Sequence, residues 1–400
     1  MKHYNCTKKS KILNSFLNNF NDFLNINDTL NNTKYKKYYN LQKKIYNFLD
    51  HNNNYNNIKI IKNNFIIDKL NIEDNDYMHY IIKNKLNNTR KITVVQYKLF
   101  YNNKKIIINY YFIKTDITEK DLKNHINFIS QFVQLIYFIT KYEHKNNVFD
   151  IYLTDYKKNI ISNHINTQNI NSGICYFNDV NKKIIIFRSE EYIKVFIHEF
   201  LHSCYIDFYL HKNNDKINNY IYNKFKFIKN NTEIMISESY TEFWCNIIYI
   251  SIFSYNFMNN SKQYVSFDNY INIFDKFFEK QIYFSALQSV KILDIFDLNY
   301  LDTINNNKKI YKYEETTHAL SYYYFKTLMI FDYKRVISMC NNNIISNETT
   351  LVNIVTYLTN ICNNKKLINL FNLFRNVLNI LKNNNYSFLY KNLYMCYIEI

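Results

Sequence analysis

The sequence has almost no glycine and no proline, and these absences exclude several classes of function. Gly173 is the only glycine among the 400 residues. A Rossmann dinucleotide-binding fingerprint needs three glycines, and a Walker A phosphate-binding loop needs two. Both kinds of nucleotide site are therefore excluded, and so are kinase-type glycine-rich loops and collagen-like chains.

Arginine and alanine are also scarce, whereas asparagine, lysine, isoleucine, tyrosine and phenylalanine are abundant. There are about 70 asparagines, and the only arginines are Arg90, Arg188, Arg335 and Arg375. The abundant residues share AT-rich codons, so codon bias explains both the dispersed lysines and the net charge of +17. Because arginine is the better residue for bidentate phosphate binding, its scarcity means that the charge allows a nucleic-acid partner without favouring one.

Long hydrophobic runs and paired cysteines are absent as well. No apolar run reaches the length of about 18 residues that a membrane span requires, so no membrane partner is expected. Residues 1–20 lack the apolar centre of a secretory signal. Seven cysteines without a CxxC pair are typical of reduced thiols in a cytosol-like compartment. We therefore expect a soluble intracellular protein, and its hydrophobic content of 47% is sufficient for a large core.

Local patterns divide the chain into three regions. Residues 1–90 are rich in lysine and asparagine and are predicted to form an N-terminal helical region. Residues 91–260 are predicted to form a core of strands and helices, and residues 261–400 a helical C-terminal lobe. Runs of β-branched and aromatic residues predict strands at 91–100, 105–113, 148–154, 174–177 and 184–188, with turns at 101–104 and 178–181.

Helix starts can also be predicted within the middle region. Thr118-Glu-Lys-Asp121 resembles a capping box and indicates a helix that extends to about Tyr142. Ser189, which two glutamates follow, predicts the N-cap of a helix that ends near Leu210. A further apolar helix is predicted from about Glu233 to Phe257.

The helix predicted after Ser189 contains His198-Glu199-Phe200-Leu201-His202, an HExxH motif. A spacing of four residues places both imidazoles on one helical face, where their nitrogens can bind one zinc ion. Glu199, next to the first histidine, can act on a water molecule as general base. The alternative is a solvated helix with two surface histidines, but the apolar residues at 195–197 and 204–206 favour a buried helix.

A catalytic zinc site also needs a third protein ligand. The metzincin extension requires glycine at position 205 and histidine at position 208, but the chain has tyrosine and phenylalanine there. Downstream, Glu238-Ser-Tyr-Thr-Glu242 places two carboxylates on one face of an apolar helix, where buried carboxylates need partners. A glutamate is therefore the better candidate for the third ligand, and Glu238, Glu233 and Asp207 are the acidic residues in reach.

Together these motifs resemble the gluzincin arrangement of thermolysin-like metallopeptidases. The resemblance implies an α+β fold: a zincin-like lobe, which has a twisted mixed sheet with an antiparallel edge strand, a backing helix and an active-site helix, followed by a mostly helical C-terminal lobe. It makes His198, His202 and Glu238 the ligands of one Zn²⁺ per chain, and Glu242 the partner that orients His198. Two features depart from the family. Glu242 replaces the commoner aspartate, and the 35 residues between His202 and Glu238 exceed the thermolysin spacing.

The same resemblance identifies residues that would contact the substrate. Residues 172–176 would form the edge strand, in which the backbone of Gly173, Ile174 and Cys175 pairs with an extended peptide. Gly173 would then permit close backbone approach, although an ordinary turn glycine is the alternative. Tyr322 and His318 share a helical face, and either could donate a hydrogen bond to the oxyanion of the reaction.

The motifs and the AT-rich composition are also similar to those of uncharacterised HExxH proteins of large nucleocytoplasmic DNA viruses, which implies the host-cell cytoplasm or a virion as location. The sequence thus predicts a zinc-dependent metallopeptidase that acts on a peptide or protein. One alternative is a zinc hydrolase of non-peptide amides. The other is a catalytically silent, basic zincin-fold protein of a virion or viral factory that binds nucleic acid or protein partners. The intact Glu199 argues against the silent protein, because drift could remove this residue without unfolding the helix.

Overall fold

The computed structural model describes most of the chain. The described segments are 6–21, 23–24, 35–51, 58–70, 72, 78, 80–101, 104–141, 146–160, 165–176, 182–228, 232–261, 265–304, 313–315, 317–340, 343–383 and 387–400. The turn predicted at 178–181, and residues 102–103 of the turn predicted at 101–104, lie outside these segments.

The described residues form one mixed, six-stranded sheet. Its strands are β1 (Lys59–Lys69), β2 (Arg90–Tyr101), β3 (Lys104–Phe112), β4 (Asn146–Leu153), β5 (Gly173–Cys175) and β6 (Lys182–Ile186), in the spatial order β1-β2-β3-β4-β6-β5. β1, β2 and β3 are antiparallel neighbours, β4 is parallel to both β3 and β6, and β5 is antiparallel to β6. The fold is therefore α+β, and the short strand β5 lies at one end of the sheet.

Helices make up most of the remaining described structure. They are α1 (Lys8–Leu17), α2 (Lys36–His51), α3 (Tyr80–Asn88), α4 (Glu119–Thr140), α5 (Thr167–Ile170), α6 (Tyr192–Ser203), α7 (Phe208–Lys212), α8 (Asn214–Lys224), α9 (Ile236–Asn260), α10 (Phe267–Ile295), α11 (Tyr300–Ile304), α12 (Lys326–Phe331), α13 (Tyr333–Met339), α14 (Glu348–Ile361), α15 (Lys365–Asn383) and α16 (Ser387–Lys391). A 3-10 turn spans Asn18–Phe20, and a π-helix, Ser321–Phe325, leads directly into α12.

The two faces of the sheet contribute to separate apolar clusters. Successive side chains of a strand point to opposite faces, so Val95, Tyr97 and Leu99 of β2 join the cluster that contains α4 and α6. Ile92 and Val94 point the other way and pack with α3. The helix that carries the HExxH motif is thus held against one face of the sheet.

The larger cluster includes buried residues from every region of the chain, from Cys6 to Ile398. At its centre α9 packs against both α6 and α10, and nearly every residue of α9 up to Tyr255 is buried. Such a helix, apolar over most of its surface, is stable only when other elements surround it. A C-terminal segment, residues 392–399, runs through this core, and Leu393, Met395 and Ile398 are buried in it.

Several local predictions agree with the structure. Thr118 and Asp121 form the capping box that begins α4: the Asp121 N–H donates to the Thr118 hydroxyl, and the Thr118 N–H donates to the Asp121 carboxylate. The two strands of the predicted hairpin pair as β2 and β3. The segment at 174 forms an antiparallel strand at the end of the sheet, in Gly173–Cys175.

Two local predictions are wrong. Residues 1–90 are not helical throughout, because Lys59–Lys69 forms β1, which pairs with β2 over most of its length. Ser189 does not cap the HExxH helix: the cap residue is Glu191, in the left-handed conformation at φ 54°, and the helix begins at Tyr192 and ends at Ser203 instead of continuing to Leu210.

None of the described helices combines the length and the apolar character needed to cross a bilayer.

Candidate metal centre

The two histidines of the HExxH motif lie one turn apart on α6, and both are buried. Their ring centroids are 4.6 Å apart and the two Nε2 atoms are 3.0 Å apart. Every residue of α6 is buried, because the helix is packed between the sheet and α9. The imidazoles therefore face the interior of the protein and not bulk solvent.

Glu238 completes this arrangement from the first turn of α9. Its Oε2 lies 3.1 Å from His198 Nε2 and 3.1 Å from His202 Nε2. Among the described residues these three side chains form a group that could hold a metal ion, with all candidate ligand atoms within 4.8 Å of one another. Glu238 is the most accessible of the three, with 18% of its side chain exposed.

The other nitrogen of each ring faces a second carboxylate. His198 Nδ1 lies 3.0 Å from Glu242 Oε2, and His202 Nδ1 lies 2.9 Å from Asp207 Oδ2. An ionised carboxylate can only accept a hydrogen bond, so each Nδ1 donates its proton. In a neutral imidazole the Nε2 atom is then left without a proton, which is the form that binds metals.

The positions of these protons and the separations of the ligand atoms indicate whether the residues can hold a metal ion. When both rings are neutral, two nitrogen lone pairs and a carboxylate oxygen face one another within 3.1 Å, which is repulsive unless a proton or a metal cation lies among them. Tetrahedral zinc with bonds of about 2.0–2.1 Å separates its nitrogen and oxygen ligands by roughly 3.3 Å. The separations and the set of two nitrogens and one oxygen therefore fit a small divalent cation.

The pKa values of these groups show how strongly the cluster attracts positive charge. Burial alone lowers the pKa of His202, but Asp207 and Glu238 outweigh it, so that this pKa lies well above the ordinary value. Burial raises the pKa of Glu238, but the two histidines outweigh it and hold this pKa well below the ordinary value. A metal ion would take the place of the protons that the cluster otherwise attracts.

The two alternative ligands lie elsewhere. Asp207 faces the Nδ1 side of His202, on the opposite side of the ring from Glu238, so it can orient this histidine but does not join the converging atoms. Glu233 accepts a hydrogen bond from the Asn214 amide at 3.1 Å. The sequence pattern does not indicate that Asp207 faces His202, because this position depends on α6 ending at Ser203.

Glu199 is buried beside the three converging side chains. Burial raises its pKa, while the charges of His198 and His202 lower it in part. Glu199 also lies against β5: a Cβ atom on Gly173 would come within 2.8 Å of Glu199 Oε1 and within 2.8 Å of Val195 Cγ1. The single glycine of the chain therefore permits the close approach of β5 to α6 in the described structure.

The remaining residues of β5 alternate between the two faces of the sheet. Ile174 is buried in the cluster on the α3 face, whereas Cys175 is partly buried and packs against the cluster on the α6 face. Because β5 pairs only with β6 among the described strands, its other edge carries backbone groups that could pair with an extended chain.

Tyr322 approaches the cluster from the π-helix. Its ring centroid lies 5.9 Å from that of His198. Burial raises the pKa of Tyr322 well above its ordinary value, and the negative charges of Glu238 and Glu199 raise this pKa further. The Tyr322 hydroxyl therefore remains protonated and can donate a hydrogen bond next to both carboxylates.

His318 lies one turn before Tyr322, and its carbonyl accepts the Tyr322 N–H at 3.1 Å. Its backbone is left-handed, with φ 56°. Its Nδ1 atom is buried and has no hydrogen-bond partner among the described residues. The structure thus brings Tyr322 to the cluster, and no contact between the His318 side chain and the cluster is evident in the described part of the chain.

Comparisons of the chain with protein-family models, with curated proteins and with solved structures found no match.

Proposed function

We propose that this protein is a zinc-dependent metallopeptidase with a zincin-like catalytic lobe. The observation that carries the proposal is the convergence of His198 Nε2, His202 Nε2 and Glu238 Oε2, with both Nδ1 atoms bonded to carboxylates. A structural zinc site would be closed by four protein ligands, whereas a catalytic site keeps one position open. Three converging ligand atoms beside an acid favour the catalytic kind of site.

The reaction assigns a separate task to each neighbouring residue. A zinc ion held by the three ligands would supply Lewis-acid chemistry for a water molecule and a peptide carbonyl. Glu199 accepts the proton of the attacking water and then delivers it to the nitrogen of the leaving amine. Tyr322 donates its hydroxyl proton in a hydrogen bond to the oxygen that becomes negatively charged.

The substrate would lie along β5. An extended peptide that pairs with the outer edge of this strand passes next to Glu199, because Gly173 and Glu199 are in contact. Burial of His198, His202 and Glu199 limits the access of bulk water to these groups, which strengthens their electrostatic interactions.

The proposal is tested with Glu199→Gln, which keeps the size of the side chain but cannot accept the proton. We expect this variant to retain its zinc and to lose peptide hydrolysis by about 10²- to 10⁴-fold, the usual contribution of a general base. The measurement is zinc content and turnover of a library of unstructured peptides, with the wild type as reference. If the variant hydrolyses peptides at the wild-type rate, or if a zinc-loaded wild type hydrolyses none, the proposed function is wrong.

The same preparations decide between this function and that of a silent basic protein. Binding of DNA or RNA that falls steeply with salt and is unchanged by Glu199→Gln, in a zinc-loaded protein without hydrolysis, would favour the silent protein.

A further inference from the structure

The carboxylate of Glu242 has more partners than His198 alone. The side chain is completely buried on α9. Its Oε2 contacts both His198 Nδ1 and the ammonium group of Lys194, with which it forms an ion pair. Its Oε1 accepts a hydrogen bond from the Asn246 amide at 3.1 Å and lies 3.8 Å from Lys326 Nζ. The carboxylate therefore has four neighbouring polar groups, two at each oxygen.

The two lysines belong to elements that also carry site residues. Lys194 lies one turn before His198 on α6, and Lys326 lies one turn after Tyr322 at the start of α12. Both side chains are buried, with exposed fractions of 2% and 0%. A buried ammonium group is costly unless a counter-charge is in contact with it, and Glu242 is the carboxylate that contacts Lys194.

Both ammonium groups are in turn fixed by the C-terminal segment 392–399. Lys194 Nζ lies 3.1 Å from Met395 Sδ, and Lys326 Nζ donates to the Met395 carbonyl at 3.1 Å. The Met395 N–H donates to Glu191, which is the cap residue of α6. Contacts with the C-terminal segment therefore help to hold both ammonium groups next to Glu242.

We propose that Lys194 is a positioning residue of the metal centre: it fixes the Glu242 carboxylate in the orientation that accepts the His198 Nδ1 proton. A glutamate side chain has three rotatable bonds, and contacts with two different groups at Oε2 remove that freedom before a metal binds. The orientation of His198 Nε2 toward His202 and Glu238 follows from it. This role rests on the proposed zinc centre.

If the ion pair between Lys194 and Glu242 only stabilised the fold, its loss would not weaken zinc binding in particular. Lys291 provides the matched control for this distinction. Lys291 is equally buried on α10 and donates to the Asn392 carbonyl of the same C-terminal segment at 2.9 Å. It has no ion pair with a carboxylate among the described residues. Lys291→Met therefore removes a buried lysine nitrogen and a contact with the segment without altering the support of Glu242.

The test is the zinc affinity of folded protein, measured by competition with a chelator. We expect Lys194→Met to weaken zinc binding by about 10- to 100-fold, the usual effect of losing support for a metal-bound histidine, and Lys291→Met to change it less than about twofold. Because Lys194 acts through Glu242, the double variant Lys194→Met/Glu242→Gln should bind zinc no more weakly than Glu242→Gln alone.

Wild-type zinc affinity in Lys194→Met, or effects of the two substitutions that multiply in the double variant, would overturn this role while leaving the zinc centre intact. If the wild type binds no zinc, the proposed function and the role of Lys194 are both overturned. If Lys194→Met does not fold, Lys194→Gln replaces it, because its amide retains a hydrogen-bond donor. The expected loss of affinity is then smaller but in the same direction.

Discussion

Gly173, the single glycine of the chain, lies next to the candidate metal centre. Its φ is not positive, so no unusual backbone conformation requires glycine there. The requirement is space, because β5 and α6 approach so closely that a methyl group would overlap Glu199 and Val195. In a chain with one glycine, that residue thus lies against the proposed general base.

Gly173→Ala is expected to displace Glu199 and to reduce peptide hydrolysis by at least about 10-fold, while the zinc content stays near that of the wild type. Overpacking of this kind also lowers the free energy of unfolding by about 1–3 kcal/mol. Both quantities are measured on one preparation, by turnover and by denaturant unfolding.

The control is Gly173→Ala/Val195→Ala, which removes the contact with Val195 Cγ1 but retains the one with Glu199 Oε1. Stability should recover in part and activity should not. Recovery of both to wild-type levels would show that Glu199 is not displaced.

At the scale of single residues, the HExxH spacing predicted that His198 and His202 share a helical face, and the gluzincin resemblance implied that Glu238 and Glu242 lie beside them. In the structure Glu238 lies 3.1 Å from both histidines, and Glu242 lies 3.0 Å from His198. The orienting role of Asp207 could not be predicted, because it depends on where α6 ends and on the left-handed conformation of Tyr205 that follows.

At the scale of elements, the π-helix Ser321–Phe325 has a direct consequence for the site. In a π-helix the hydrogen bonds join residues i and i+5, so that the turn accommodates one residue more than an α-helical turn does. Such insertions are frequent at functional sites. Here it places Tyr322 beside His198, while the next residue, Tyr323, donates its hydroxyl proton to the carbonyl of Leu393. Adjacent tyrosines thus contact the candidate metal centre and the C-terminal segment.

Tyr322→Phe is expected to lower kcat by about 10²- to 10³-fold with little change in KM or zinc content, because the lost hydrogen bond acts on the developing negative charge. Tyr324→Phe is the matched control, since its hydroxyl contacts Thr303 within the core. Equal losses of activity in the two variants would contradict a direct role for Tyr322.

The elements that could not be predicted from the sequence depend on contacts between residues that are far apart in the chain. The start of α6 depends on Glu191, whose carboxylate accepts the N–H groups of Met395 and Cys396, more than 200 positions further along the chain. β1 carries no alternating pattern of burial, because it pairs with β2 while most of its side chains on both faces stay exposed. By contrast the capping box of α4 is purely local, and it was predicted correctly.

At the scale of the whole molecule, codon bias explains the number of lysines but not the positions of all of them. Lys158, Lys194, Lys291 and Lys326 are buried, and all four lie close to the C-terminal segment or to the glutamates that bind it. The Lys158 carbonyl also accepts the Leu393 N–H. Some of the lysines therefore lie inside the fold, where they contact the C-terminal segment or the glutamates that bind it.

Because of Lys291, we expect the free energy of unfolding to change with pH in the alkaline range. Burial lowers its pKa well below the ordinary value, so just below about pH 10.4 the unfolded chain binds one more proton at this site than the folded chain. The free energy of unfolding of the wild type should therefore rise with pH in this interval, relative to Lys291→Met, by up to about 1.4 kcal/mol per pH unit. Denaturant unfolding of both proteins at several pH values measures this difference. Parallel pH profiles would show that the buried group does not titrate as described.

The zinc content per chain decides whether His198, His202 and Glu238 bind one zinc ion. Wild type, Glu238→Gln and Glu233→Gln are purified without added metal, then analysed before and after reconstitution with zinc. Glu233 is the matched control, because it lies five residues from Glu238 and contacts Asn214 outside the cluster. We predict about one zinc per chain in the wild type and in Glu233→Gln, and a clear loss in Glu238→Gln. A folded wild type that holds no zinc even after reconstitution, or full zinc content in Glu238→Gln, would contradict the account.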